Sequence, residues 1–310
     1  MSWVLEWLDR PATLRRAALA SLVANIVIVG TGGLVRLTGS GLGCPTWPRC
    51  TDDSYVTTAE MGHHGLIEFG NRTLTSVVSI AAILALAAAW RQRRRLPSAL
   101  RAGVGVLLGV AAQAVLGGIT VRMALNPWTV MAHFLLSMVL IALAFALWDR
   151  TREEPPRWTA PRAMRAAGVL TTAVSAVVLV LGTIVTGSGP HSGDTKAART
   201  GFDPESVSQL HTDAVMVLVG LSVAMWFGLR ALGAPLRVTR AAAILVVVEL
   251  AQGVIGFVQY FTGLPWYVVV LHMLGACLVW AATLNLLARV TTRSDQAPAK
   301  SEDHSLASTA

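Results

Sequence analysis

Residues 251–280, AQGVIGFVQYFTGLPWYVVVLHMLGACLVW, decide the fold. They read as two apolar helices joined by the turn Thr262-Gly263-Leu264-Pro265, with one histidine, His272, just beyond it. Residues 112–138, AQAVLGGITVRMALNPWTVMAHFLLSM, say nearly the same thing at a constant offset of 139 residues. Ala112-Gln113 matches Ala251-Gln252, Gly117 matches Gly256, and His133 matches His272. An ungapped match across a turn, ending on the same rare residue, marks an internal repeat. The expectation is two copies of one four-helix unit, each carrying a histidine site.

The rest of the chain supports this. It is 54% hydrophobic and 14% charged, against roughly 25% charged for a soluble domain. Apolar runs longer than about 18 residues recur, at about 17–37, 65–90, 100–121, 127–148, 163–185, 206–229, 238–260 and 265–289. The first is too long for a signal-peptide core and lacks a cleavage site, so it reads as a retained helix. The chain is therefore expected to be an all-α integral membrane protein of eight transmembrane helices in two pseudo-symmetric four-helix bundles. Residues 1–148 form the first bundle and 163–290 the second. A charged linker with Pro155-Pro156 spans 149–162, and a disordered cytoplasmic tail spans 291–310. The net charge of +8 does not point to nucleic acid, because the basic residues cluster between apolar runs. Arg36, Arg49, Arg72, Arg122, Lys196 and Arg199 lie on one side and the other 19 cations on the opposite side, which places both termini in the cytoplasm. The glycine-rich loops then face outward, after Thr38-Gly39-Ser40-Gly41 and Thr186-Gly187-Ser188-Gly189.

Ionisable and imidazole groups inside a span are costly, so each is a candidate site. Glu68 and Asn71 on the second span, His133 on the fourth, His211 on the sixth and His272 on the eighth each lie about five to eight residues into an inward-running helix. They share one depth. His211 and His272 face each other across the second bundle, and Asn71 and His133 across the first. Two histidines on facing helices of an apolar bundle suit bis-imidazole ligation of haem iron. The competing reading is that each histidine only bonds a neighbouring helix. Glu68 shares a helical face with Asn71 and reads either as a proton-moving group or as the partner of Arg72 or Arg36 in a salt bridge. Glu249, matched by Val110 in the first half, reads as structural, and Gln113 and Gln252 as interhelical hydrogen-bonding groups. Arg36, Arg72 and Arg122 near the outer helix ends suit either haem propionates or lipid headgroups. Cys44 and Cys50 flank Pro-Thr-Trp-Pro-Arg in an outward loop. A structural disulfide, a redox-active pair, and a metal site with His63 and His64 all stay open.

These segments resemble a known family. Residues 33–50, GLVRLTGSGLGCPTWPRC, are similar to the first outer-loop signature of the haem A synthases, bacterial and actinobacterial-like. Ile67-Glu-Phe-Gly-Asn-Arg72, Thr186-Gly-Ser-Gly-Pro-His-Ser-Gly-Asp194 and the 251–272 hairpin resemble further family segments. The resemblance covers nearly the whole chain except the tail. It implies a membrane haem-dependent oxidoreductase of the bacterial cell membrane that oxidises the C8 methyl of haem O to the formyl of haem A, for a terminal oxidase. It implies haem b between His211 and His272, and substrate haem O beside His133, Asn71 and Arg72, with Glu68 as catalytic carboxylate. Cys44 and Cys50 would be the family's outer-loop pair. One departure is Asn71, where many relatives carry a second histidine; His63 or His64 reaching over is an alternative. A dihaem b-type electron carrier and a haem-delivery or transport protein are the rival functions. Asn71 weakens the first, and the parallel rather than inverted repeat weakens the second. The sequence names no electron donor. It leaves open association with haem O synthase, oxidase assembly factors or a second copy of the chain.

Overall fold

The computed structural model describes residues 2–152, 158–191, 193–195 and 197–291. Among them are nine α-helices: α1 (Ser2–Asp9), α2 (Pro11–Leu37), α3 (Gly62–Arg91), α4 (Pro97–Arg122), α5 (Pro127–Arg150), α6 (Arg162–Ser188), α7 (Pro204–Ala231), α8 (Leu236–Phe261) and α9 (Trp266–Thr291). The eight helices α2–α9 are long and apolar enough to cross a bilayer. Large apolar side chains such as Leu108 and Val247 are exposed on their outer faces, as lipid-facing spans require. The protein is thus a multi-pass membrane protein, as expected. The linker prolines and residues 292–310, where disorder was expected, lie outside the described residues.

Helix starts follow local chemistry. Proline opens α2, α4, α5 and α7, where its missing N–H costs nothing. Asn126 caps α5 by accepting from the Trp128 N–H, and Asp203 caps α7 by accepting from the Ser206 N–H. The Asp203 carboxyl is held below the usual range by its bonds to Ser206. Most spans run a few residues beyond the apolar stretch, because a helix continues until its backbone finds water or a turn. α2 starts at Pro11 and α6 includes Thr186-Gly187-Ser188. α1 was not expected. It is short, exposes Trp3 and Trp7, and is pinned by a bidentate pair from Arg91 to Asp9.

The repeat is visible in the backbone. Both bounds of α8 are those of α4 displaced by 139 residues. The two hairpin turns place consecutive left-handed residues at matching positions, Ala124-Leu125 (φ 49° and 58°) and Gly263-Leu264 (φ 77° and 61°). Each turn closes on the same bond, Leu125 N–H to the Thr120 carbonyl and Leu264 N–H to the Gln259 carbonyl.

α2–α5 form one ring of four helices and α6–α9 another, each helix packing on its chain neighbours and the last on the first. Contacts of α2 with α9, α5 with α6, and α5 with α9 join the rings. The join is part of the core. Met138 and Ile141 of α5 pack in one cluster with Leu179 of α6 and Cys277 of α9, and Trp280 Nε1 donates to the Met138 carbonyl at 2.9 Å. Alanines such as Ala18, Ala82 and Ala85 are fully enclosed, letting helices approach closely where lipid supplies no hydrophobic drive.

Candidate functional site

All three intramembrane histidines are seated in the same way. A Cβ built at Gly117 of α4 would lie 3.2 Å from Cε1 of His133. One at Gly182 of α6 would lie 3.2 Å from Cε1 of His211, and one at Gly256 of α8 3.2 Å from Cε1 of His272. Each ring therefore stands edge-on against bare backbone of the adjacent helix, in a niche that a side chain would close. Nδ1 of all three rings is enclosed without a hydrogen-bond partner, although the Val178 backbone lies near the His211 ring. Among the described residues Nδ1 is the enclosed nitrogen in every case and Nε2 in none. Nε2 is the nitrogen left to reach a ligand.

Beneath the rings the halves repeat one crosslink. Gln113 Nε2 donates to the His133 carbonyl at 2.9 Å, and Gln252 Nε2 to the His272 carbonyl at 2.7 Å. The two glutamines are the interhelical bonding groups the sequence suggested. His211 and His272 stand on α7 and α9, diagonal members of their ring, and lie within electrostatic range of each other. His133 occupies the matching corner of the first ring on α5, with α3 opposite.

The fourth corner differs. Asn71 Oδ1 accepts from Thr31 Oγ1 of α2 at 2.7 Å. Its carboxamide oxygen is spent on a neighbouring helix, and an amide nitrogen has no free lone pair for iron. α3 also begins earlier relative to Asn71 than the other helices do relative to their imidazoles. Asn71 is the tenth residue of α3, whereas His133 and His272 are the seventh of theirs, because α3 starts at Gly62 rather than near 65. His64 is engaged with Ser40, Oγ to Nδ1 at 2.9 Å, and its ring lies tilted against that of His63.

Glu68, one turn from Asn71 on α3, is buried. Its Oε2 accepts from the Cys44 N–H at 2.7 Å, and Oε1 takes Arg72 in an ion pair, so the salt bridge considered from sequence forms. Arg72 spends all five N–H donors: Nε and one N–H of Nη2 on Glu68, the other on the Cys44 carbonyl, and Nη1 on the Thr46 and Arg49 carbonyls. It has none left for a propionate. Cys44 and Cys50 are joined in a disulfide, so neither sulfur is a thiolate for the metal site left open above. Trp47 of the same loop lies on Gly118 of α4, with Arg122 over its ring and bonded to its carbonyl. The disulfide loop thus closes over the first bundle and is riveted to it through Glu68.

Arg36 crosses to the second half. Nε donates to the His191 carbonyl at 2.7 Å and Nη2 to the Thr186 carbonyl at 3.0 Å, while the Gly41 N–H bonds the Gly193 carbonyl. A cavity of about 550 Å³ opens at this seam, between Gly43, Met61 and His64 on one side and Asp194 and Thr195 on the other.

Gly182, Thr31 and the Cys44 N–H were not singled out from sequence. Gly117 and Gly256 emerged from the repeat, but at the offset of the Thr-Gly-Ser-Gly match Gly182 falls on Leu34, so it carried no such signal.

A family model described as cytochrome oxidase assembly protein, COX15-CtaA, matches residues 15–284. The chain is 32% identical over 136 residues to a heme A synthase of Geobacillus kaustophilus, 43% of this chain and 42% of that protein. It is 30% identical over 135 residues to a heme A synthase of Lysinibacillus sphaericus, 43% of each chain. The chain thus matches less than half the length of these relatives. Across 92% of this chain and 94% of the other, it is 25% identical to a heme A synthase of Sphingopyxis alaskensis.

Proposed function

Because the chain belongs to the COX15-CtaA family of cytochrome oxidase assembly proteins, we propose that it is a haem A synthase, oxidising the C8 methyl group of haem O to a formyl group. The observation that carries this reading is the trio of glycine-seated imidazoles with Nδ1 enclosed, in a chain of this family. They fit haem at two unlike sites. His211 and His272, on diagonal helices, would hold the iron of haem b. His133 alone fits the iron of the substrate haem O, since Asn71 is tied to Thr31. The loop end of the molecule faces outward in this reading, with both termini cytoplasmic.

Haem iron, when bound, supplies the electron transfer and oxygen chemistry. The chain's share is placement and charge. His133 fixes the first haem, and Gly117 and Gln113 fix His133. Two hydroxylations, each a two-electron oxidation by an external oxidant that also supplies the oxygen atom, would take the methyl group to a gem-diol, from which water leaves. Glu68, held by Arg72 and the Cys44 N–H, presents a fixed anion below the disulfide loop. Such an anion stabilises positive character at the methyl carbon without having to reorganise. Trp47 and the loop around it keep water off that face. Arg72 is a positioning residue, acting through Glu68.

The direct test is the acid-acetone haem extract of membranes from cells that make haem O, with and without this protein. New haem A is expected with it. Haem O unchanged in the presence of the folded, haem-loaded protein overturns the proposal.

A further inference from the structure

Glu249 of α8 is a carboxyl group that the proposed chemistry does not use. It is 4% exposed, and Ser222 of α7, itself fully buried, donates to its Oε1 at 2.8 Å. Its Oε2 is enclosed with no partner. One turn along α8, Gln252 gives Nε2 to the His272 carbonyl, while its Oε1 is likewise enclosed and unpartnered. Two unpaired acceptors thus sit on one helical face, at the i, i+3 spacing that makes side chains neighbours. A proton on Glu249 converts one of them into a donor. At the matching position the first half has Val110, with the same glutamine crosslink above it. The acid is an addition to the second bundle alone.

Around Glu249 the walls are apolar: Leu218 and Met225 flank Ser222 on α7, and Leu245 lies one turn away on α8. α7 and α9 pack against α8. Of their titratable or charged groups, His211 and His272 are the proposed ligands. Cys277 faces the other side of α9, into the core with Met138 and Leu179. Glu205 and Arg230 of α7 and Arg289 of α9 lie toward helix ends, Asp213 lies on an exposed face of α7 bonded to Gln209, and on α8 itself Arg237 and Arg240 lie two or more turns from Glu249. Glu249 is seven residues from Gly256, the seat of His272, or about 10 Å along the axis. In so apolar a medium, charge added at the ring level is felt strongly at that distance.

We infer that Glu249 is a redox-linked proton site, taking up one proton when a haem held between His211 and His272 gains one electron, and releasing it on oxidation. With the electron on the haem, the proton would come from water to the carboxylate, so that the buried charge would not change. The inference rests on the haem b assignment proposed above.

The test is a redox titration of the purified full chain at several pH values, the electron supplied by a one-electron mediator, for the wild type, Glu249→Gln and Glu249→Val. The midpoint potential of the low-spin haem should fall as pH rises in the wild type. It should lose that dependence in both variants, the second of which copies the first bundle. The redox-difference infrared spectrum should contain a protonated-carboxyl band that Glu249→Gln removes. A wild-type potential independent of pH, or a slope kept in the variants, overturns the inference and leaves the haem site standing. A protein with no low-spin haem overturns both.

Discussion

The two bundles are one design carried out twice, and they differ where it matters chemically. Both hold a histidine on their last helix against a glycine, with a glutamine gripping the carbonyl below. On the diagonal helix the second bundle offers His211, and the first offers Asn71, bonded to Thr31. Over the first bundle lies the disulfide loop, anchored by Glu68 and Arg72. Deep in the second lies an acid, Glu249. In the reading proposed above, one scaffold would provide a pair of ligands in one copy and a single ligand beneath the disulfide loop in the other. A site closed on both faces suits a resident electron carrier, whereas an open one suits a group that must react.

The hardest blow to this comparison is His272→Ala. It should abolish the low-spin b-type spectrum of the purified protein, and an unchanged spectrum removes the second bundle's assignment. Next comes Glu68→Gln, expected to lower haem A yield roughly 10²-fold, the scale of losing one fixed electrostatic group at a reacting centre. Haem content of the purified protein should stay at the wild-type level, which separates chemistry from folding. Asn71→His would make the first bundle a copy of the second. It should add a second low-spin signal, read by electron paramagnetic resonance, and the absence of that signal would mean that the α3 corner does not face His133. The smallest expected effect lies in the turns. Ala124 holds a left-handed conformation that its counterpart Gly263 adopts freely. Ala124→Gly should stabilise the protein by about 1 kcal/mol. Gly263→Ala should cost about as much, both read as shifts in thermal unfolding in detergent.

Much of this was legible before any coordinates. Eight spans follow from length and apolarity, and the repeat from His133, His272 and their shared glycine and glutamine, because rare residues at a fixed offset are improbable by chance. What stayed hidden depends on chain segments meeting from afar. The five-donor clasp of Arg72 needs the disulfide loop folded back onto α3. The seat of His211 at Gly182 needs α6 beside α7. Glu249 read as structural because the first half has Val110 at the matching position, and its bond to Ser222 comes from another helix. α1 went unseen because its eight residues are too short for a span and are held by long-range contacts, the Arg91–Asp9 pair, the Gln92 bond to the Leu8 carbonyl and Leu8 against Leu14, Ala88 and Ala89.

Arg36 has a consequence for timing. It reaches from α2 to two carbonyls of the opposite half, and the core beneath it is shared by both rings. The pair of imidazole sites therefore sits at a separation set by covalent backbone and packed side chains, like marks on a ruler. Were haem held at both sites as proposed, a tie of this kind would keep the distance an electron crosses between them steady while the lipid around it fluctuates.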